Sequence, residues 1–92
     1  MTQSSTKGRI RVNFAVKAEP GSEVYVAGTF NDWNPKKHKL FHADGIHSAS
    51  ILLSPGRYEY KFVVNDFWCV DPECTEWSPN NMGSLNSVVI VE

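Results

Sequence analysis

Three tryptophans stand apart from the regular apolar alternation of this chain. Trp33 lies between Asp32 and Asn34, Trp68 follows the Asn65-Asp66 turn, and Trp77 precedes Ser78-Pro79-Asn80-Asn81. None is embedded in the apolar face of a strand, and loops run over the surface, so exposed indole faces are expected. Such faces, flanked by amides and one or two charges, suit an amphipathic, uncharged ligand. A pyranose fits, with a C–H face that packs on an indole and a rim of hydroxyls that needs donors and acceptors. Lys61, Asn34, Asn65 and Asn86 are the polar side chains at hand near the tryptophans. Asn31 and Asp32 are expected to shape the Trp33 loop rather than touch a ligand. Trp77 is expected to pack into the core under its loop.

Other chemistries fare worse. A glycosidase needs two carboxylates flanking the scissile bond, roughly 5–9 Å apart in a cleft. Asp66, Asp71, Glu73 and Glu76 cluster in sequence near Trp68. A small sandwich offers little depth in which to desolvate an acid, and they read as turn and solvent-facing residues. His38 and His42 would share a metal only on a helix, and the stretch reads as strand or loop. Cys69 and Cys74, spaced C-x4-C, supply half of a zinc site, so no metal and no cofactor is expected. There is no nucleophile elbow, no Cys–His pairing and no phosphate-cradling glycine loop. The expectation is a protein that is not an enzyme.

The elements that position these residues are strands. Ile10, Val12, Phe14 and Val16 share one face of the first, and Val24 and Val26 face inward on a second over Glu23–Phe30. Lys36–His42 is a short strand or loop whose basic run suits an edge. Ala49, Ile51 and Leu53 mark the next strand. Tyr58, Tyr60, Phe62 and Val64 then face one way, with Arg57, Glu59, Lys61 and Val63 facing the other. Phe67–Val70 is short, and outward Trp68 implies an inward Cys69, where a thiol behaves as a small hydrophobe. Residues 71–83 carry two prolines and no periodicity, which reads as a long loop. Leu85–Val91 closes the chain. The expected fold is all-β, an immunoglobulin-like antiparallel β-sandwich of about seven strands.

With 92 residues the chain allows one domain, expected over 9–92 behind a flexible tail at 1–8. Nine basic and ten acidic side chains leave a net charge of −1, which argues against nucleic acid. No apolar run reaches the roughly 20 residues of a membrane span. The polar start has no hydrophobic h-region, so a cytoplasmic location with reduced thiols is expected.

At this point four ordered motifs carry a resemblance. Val24-Tyr25-Val26-Ala27-Gly28-Thr29-Phe30-Asn31-Asp32-Trp33 resembles the opening signature of family-48 carbohydrate-binding modules. The stretch from Pro55 to Trp68 resembles their central hairpin, and Asp71-Pro72 and Gly83–Val89 follow in order. These modules include the glycogen-binding domain of the AMP-activated protein kinase beta subunit, and related domains precede branching and isoamylase-type enzymes. The resemblance implies a non-catalytic site for α-1,4-glucans: glycogen, starch or maltooligosaccharides. It places stacking on Trp33 and Trp68, hydroxyl binding on Lys61, and further contacts on Met82, Ser84 and Asn86. Met82 stands where Leu is usual and Ser84 where Thr is usual. Asn65-Asp66 replaces an Asp-Gly turn, which is expected to alter the hairpin twist and the angle of Trp68. The implied partner is a glycogen- or starch-metabolising enzyme, or a kinase, to which polymer is recruited in trans. The alternative is a β-sandwich scaffold that uses its face or sheet edge for a protein partner.

Overall fold

Short runs, most of them alternating apolar and polar residues, build eight antiparallel strands among the described residues. A computed structural model describes residues 8–80 and 82–92. The tail expected over 1–8 lies outside the described residues except for Gly8. The strands are β1 (Ile10–Lys17), β2 (Val24–Gly28), β3 (His38–Ala43), β4 (Ile46–Leu53), β5 (Gly56–Val64), β6 (Phe67–Cys69), β7 (Trp77–Pro79) and β8 (Leu85–Val91). A 3-10 turn at Thr29–Asn31 follows β2. Hydrogen bonding runs in the order β1-β4-β3-β2-β5-β8-β7, with β6 also paired to β5.

The sheet curls into two facing layers because β3 serves both. Leu40 and His38 pair with Val24 and Val26 of β2, whereas Phe41, His42 and Ala43 pair with Ser48, His47 and Ile46 of β4. This corrects the expectation of an edge or loop at Lys36–His42. Lys36 and Lys37 precede the strand, and Lys39 is exposed while its neighbour Leu40 is buried, so the cations do not keep the strand from an interior position. Between the layers, Phe14 of β1 meets Tyr60 of β5 edge-on at 5.0 Å and Phe30 at 5.3 Å. Val24, Val26, Leu40, Leu53, Phe62 and Val91 complete that core.

The strand beyond the seven expected, β7, falls inside the stretch read as a long loop. Three residues are too few to show a period, and Pro79 suits only an edge strand. Trp77 is 41% exposed on this outermost strand, which corrects its expected burial in the core. Cys69 is also exposed, against the inward parity expected of it. All three residues of β6 are exposed, with Phe67 at 77%, so neither face of that short strand is covered by the opposite layer. Cys69 and Cys74 are both free thiols.

Val63 shows how the outer face is built. It shares outward parity with Lys61 yet is only 2% exposed. Its cross-strand neighbours are Tyr25 on one side and Trp68 on the other, and these rings cover it. Among the described residues, no helix is long and apolar enough to cross a membrane, and no group of three or more His, Cys, Asp or Glu is arranged to hold a metal ion.

Candidate functional site

Trp33 is presented by a loop held from beneath. Asn31 is buried; its Oδ1 accepts from the Gly28 N–H at 3.0 Å and its Nδ2 donates to the Val26 carbonyl at 3.1 Å. The same Nδ2 lies 2.9 Å from His38 Nδ1, which must therefore accept. Burial, and then the charge of Lys37, push the His38 pKa down, in keeping with a neutral ring. The Trp33 N–H donates to the Gly28 carbonyl at 2.8 Å. This path puts both Asp32 and Trp33 in the left-handed region, at φ 57° and 59°. For a bulky side chain that is a strained conformation, held by its surroundings. Gly28 has its own reason to be glycine: a Cβ there would lie 2.5 Å from the Glu59 carbonyl oxygen. Asn34, a candidate ligand group in the sequence, instead uses its Oδ1 on the Lys36 N–H at 2.9 Å.

Trp68 is presented by the β5–β6 hairpin. Val64 pairs with Phe67, leaving the two-residue loop Asn65-Asp66, with φ 49° and 71°. Two positive φ values are what a type I′ turn requires, so the hairpin keeps its usual twist without glycine. The hairpin twist expected to change with the loss of glycine is therefore kept. Asn65 is committed to the fold, its Oδ1 accepting from the Glu23 N–H at 3.0 Å and its Nδ2 donating to Ser22 Oγ at 3.3 Å. Asp66 still carries the cost of a left-handed side chain. Asp66→Gly should therefore raise stability by about 0.5–1 kcal/mol, read as a higher midpoint in urea. An unchanged or lower midpoint would mean the Asp66 side chain contributes more than its backbone costs.

Lys36 links the two tryptophan-bearing elements. Its Nζ lies 3.4 Å from Asp66 Oδ1 and 5.0 Å from the Tyr25 ring centroid. Both charged groups are mostly exposed, so the pair contributes at most about 1 kcal/mol.

Between these elements runs an open groove of about 720 Å³. Trp33, Lys61, Trp68, Met82, Ser84 and Asn86, the six residues to which the resemblance assigned the site, all line it, whereas Asn34 and Asn65 do not. Trp68 is 46% exposed and Met82 91%, whereas Asn86 is only 7% exposed. The groove also takes in Thr29, Glu59 and Asn80, which sequence reasoning did not single out. Glu59 had a usable signal, since it shares outward parity with Lys61 on β5. Asn80 had none.

A continuous polar chain joins these residues. Arg57 donates to Glu59 Oε2 at 2.8 Å, and Asn86 Nδ2 donates to Glu59 Oε1 at 2.9 Å. Asn80 Nδ2 donates to Asn86 Oδ1 at 3.1 Å and to Ser84 Oγ at 3.0 Å, and Lys61 Nζ donates to the same Oγ at 2.8 Å. The Asn86 amide, followed by the Arg57 guanidinium, holds the Glu59 carboxyl below its ordinary value. None of Asp66, Asp71, Glu73 and Glu76 lines the groove. Two indoles and a set of hydrogen-bonding side chains in its lining let the groove take a ligand with an apolar face and oxygen rim.

Known proteins share this sequence and fold. The chain is 36% identical over 63 residues to Protein FLOURY ENDOSPERM 6, chloroplastic, of Oryza sativa subsp. japonica, covering 68% of this chain and 12% of that protein. Identity and coverage are the same for Protein PTST homolog 2, chloroplastic, of Arabidopsis thaliana. With 5'-AMP-activated protein kinase subunit beta-1 of Sus scrofa it is 32% identical over 72 residues, 78% of this chain and 57% of the relative. The chain thus spans only part of the relatives it matches. The chloroplastic relatives overturn the expected cytoplasmic location. Lack of an apolar h-region bears on secretory export alone, since plastid transit segments are amphipathic and rich in Arg and Ser. The crystal structure of the maltogenic amylase from S. marinus superposes with a TM-score of 0.77 over 92% of this chain and 14% of that one; at 21% identity this is a likeness of fold. Residues 10–92 match the family model of the glycogen recognition site of AMP-activated protein kinase, and the chain belongs to that carbohydrate-binding family.

Proposed function

We propose that the groove binds an α-1,4-glucan chain, with Trp33 and Trp68 stacking on sugar faces and Lys61 and Ser84 meeting the hydroxyl rim. The observation that carries this reading is that both indoles line one groove with Lys61 of β5, the strand that pairs with β2 ahead of the Trp33 loop and with β6 that bears Trp68. Met82 adds a flexible apolar contact from the last loop. In this reading Asn86 supports the floor rather than reaching the ligand, because it is buried and both of its polar atoms are bonded within the protein.

Binding without catalysis is the chemistry that the groove favours. Among the described residues Glu59 is its one lining carboxylate, and its acid form is disfavoured by Asn86 and Arg57. A retaining or inverting glycosidase needs a second carboxyl across the bond and a raised pKa on the acid. Residues 9–92 then act as one binding unit that brings glycogen or starch-like polymer to an enzyme or kinase in trans.

Calorimetric titration tests the reading. Maltoheptaose should bind with a Kd in the micromolar to millimolar range, about −4 to −8 kcal/mol, and β-linked cellohexaose should give no heat. Equal heats from the two sugars would remove the α-glucan preference. Silence with both would put the protein-scaffold reading first.

A further inference from the structure

Asn80 stands where the chain leaves β7, and its amide is oriented by what surrounds it. The backbone N–H groups of Met82 and Ser84 approach its side chain at 2.8 and 3.2 Å, and only an oxygen can accept both. Oδ1 therefore faces them and Nδ2 faces away, toward Ser84 Oγ and Asn86 Oδ1. The far end agrees: with Oδ1 of Asn86 engaged, its Nδ2 meets the acceptor-only carboxylate of Glu59. The whole chain of amides has one direction. Ser84 Oγ sits at its end and receives a second donor, Lys61 Nζ, from the other side.

A hydroxyl oxygen has two acceptor sites and one O–H. At Ser84 both acceptor sites are filled, by Asn80 and Lys61, so the O–H is the hydrogen-bonding capacity left for a ligand. Lys61, with three N–H groups, has used one. We infer that Asn80 is a specificity-determining positioning residue: by filling an acceptor site of Ser84 it makes the Ser84–Lys61 corner of the groove a donor-only cluster, which selects ligands that offer acceptor oxygens there. The inference rests on the groove being a glucan site and adds which hydrogen-bonding face the sugar turns to this corner. A sugar hydroxyl at the corner is held through its oxygen, with its own proton directed elsewhere.

Asn80→Asp separates this role from loop folding. It keeps an oxygen for the two backbone N–H groups, removes the Nδ2 donor, and offers Ser84 an acceptor that draws its O–H away from the ligand. Maltoheptaose affinity should fall about five- to tenfold. Ser84→Ala should cost a similar factor, and Asn80→Asp should add little in the Ser84→Ala background. Losses that multiply fully in the double variant would overturn the inference, because Asn80 would then act without Ser84. Side-chain amide exchange of Asn80, followed by NMR in the sugar-free protein, tests the pinning by itself. Slow exchange in the parent and faster exchange in Ser84→Ala supports it; fast exchange in the parent overturns it. Protection without maltoheptaose binding removes the glucan reading alone.

Discussion

Replacing Trp33 by alanine or by glycine should weaken maltoheptaose binding equally, by about 1–3 kcal/mol, yet leave the glycine variant the more stable protein. Both substitutions remove the same indole face. They differ in the backbone, where φ at Trp33 is 59° and alanine inherits the left-handed cost that glycine escapes. The glycine variant should be ahead by about 1 kcal/mol, which for a chain of this size is roughly 4–8 °C in Tm. In an ordinary strand or helix position the order would be reversed, with alanine the more stable. Trp68→Ala should lose a similar amount of affinity but also destabilise the fold, because Trp68 covers Val63. Equal Tm values for the two Trp33 variants would show that the loop relaxes out of its strained path. Parent-like affinity in either would take Trp33 out of the site.

The contrast between the two tryptophans explains what the sequence could and could not reveal. Both stood out because they interrupt polar or turn-like runs; parity on the long strand β5 turned Lys61 outward, and the resemblance assigned it to the site. Parity failed one strand later. β6 has three residues and both its faces are open, so outward Trp68 did not imply a buried Cys69. Val63 failed in the other direction, buried on a face that alternation marks as outward, because Tyr25 and Trp68 arrive from neighbouring strands to cover it. Periodicity reports which face a side chain takes, and burial depends on what lies across that face.

The polar floor of the groove was less legible still. Asn86 and Glu59 are 27 residues apart, and only the pairing of β8 with β5 brings them together. Asn80 lies in a stretch without periodicity, and its Asx-type bonds to Met82 and Ser84 are local geometry that composition does not encode. The β-sandwich itself was legible because it rests on long alternating strands. Strand β7 was not, being three residues with a proline at its end.

Asp71→Ala is expected to have the largest effect on stability, about 2–4 kcal/mol, although Asp71 lies outside the groove. Its carboxylate accepts from the buried Tyr60 hydroxyl at 2.7 Å and from the Glu73 N–H at 2.9 Å. Alanine would leave the Tyr60 hydroxyl buried without its partner. Burial first, and then the Asp71 carboxylate, push the Tyr60 phenol well above its ordinary value of 10.0. The unfolded chain therefore releases this proton at lower pH than the folded protein. The Tyr60 contribution is complete below pH 10 and is lost as pH rises beyond it, so alkaline unfolding should steepen there. Tyr60→Phe should flatten that alkaline slope, and an unchanged slope would place its origin elsewhere. The groove should feel the loss as well. Tyr60 lies between Glu59 and Lys61 on β5, and the Asp71 N–H donates to Ser87 Oγ, one residue from Asn86, at 2.8 Å. Asp71→Ala keeps that backbone N–H but removes the carboxylate that anchors Tyr60 on β5, so maltoheptaose affinity should fall together with the melting temperature.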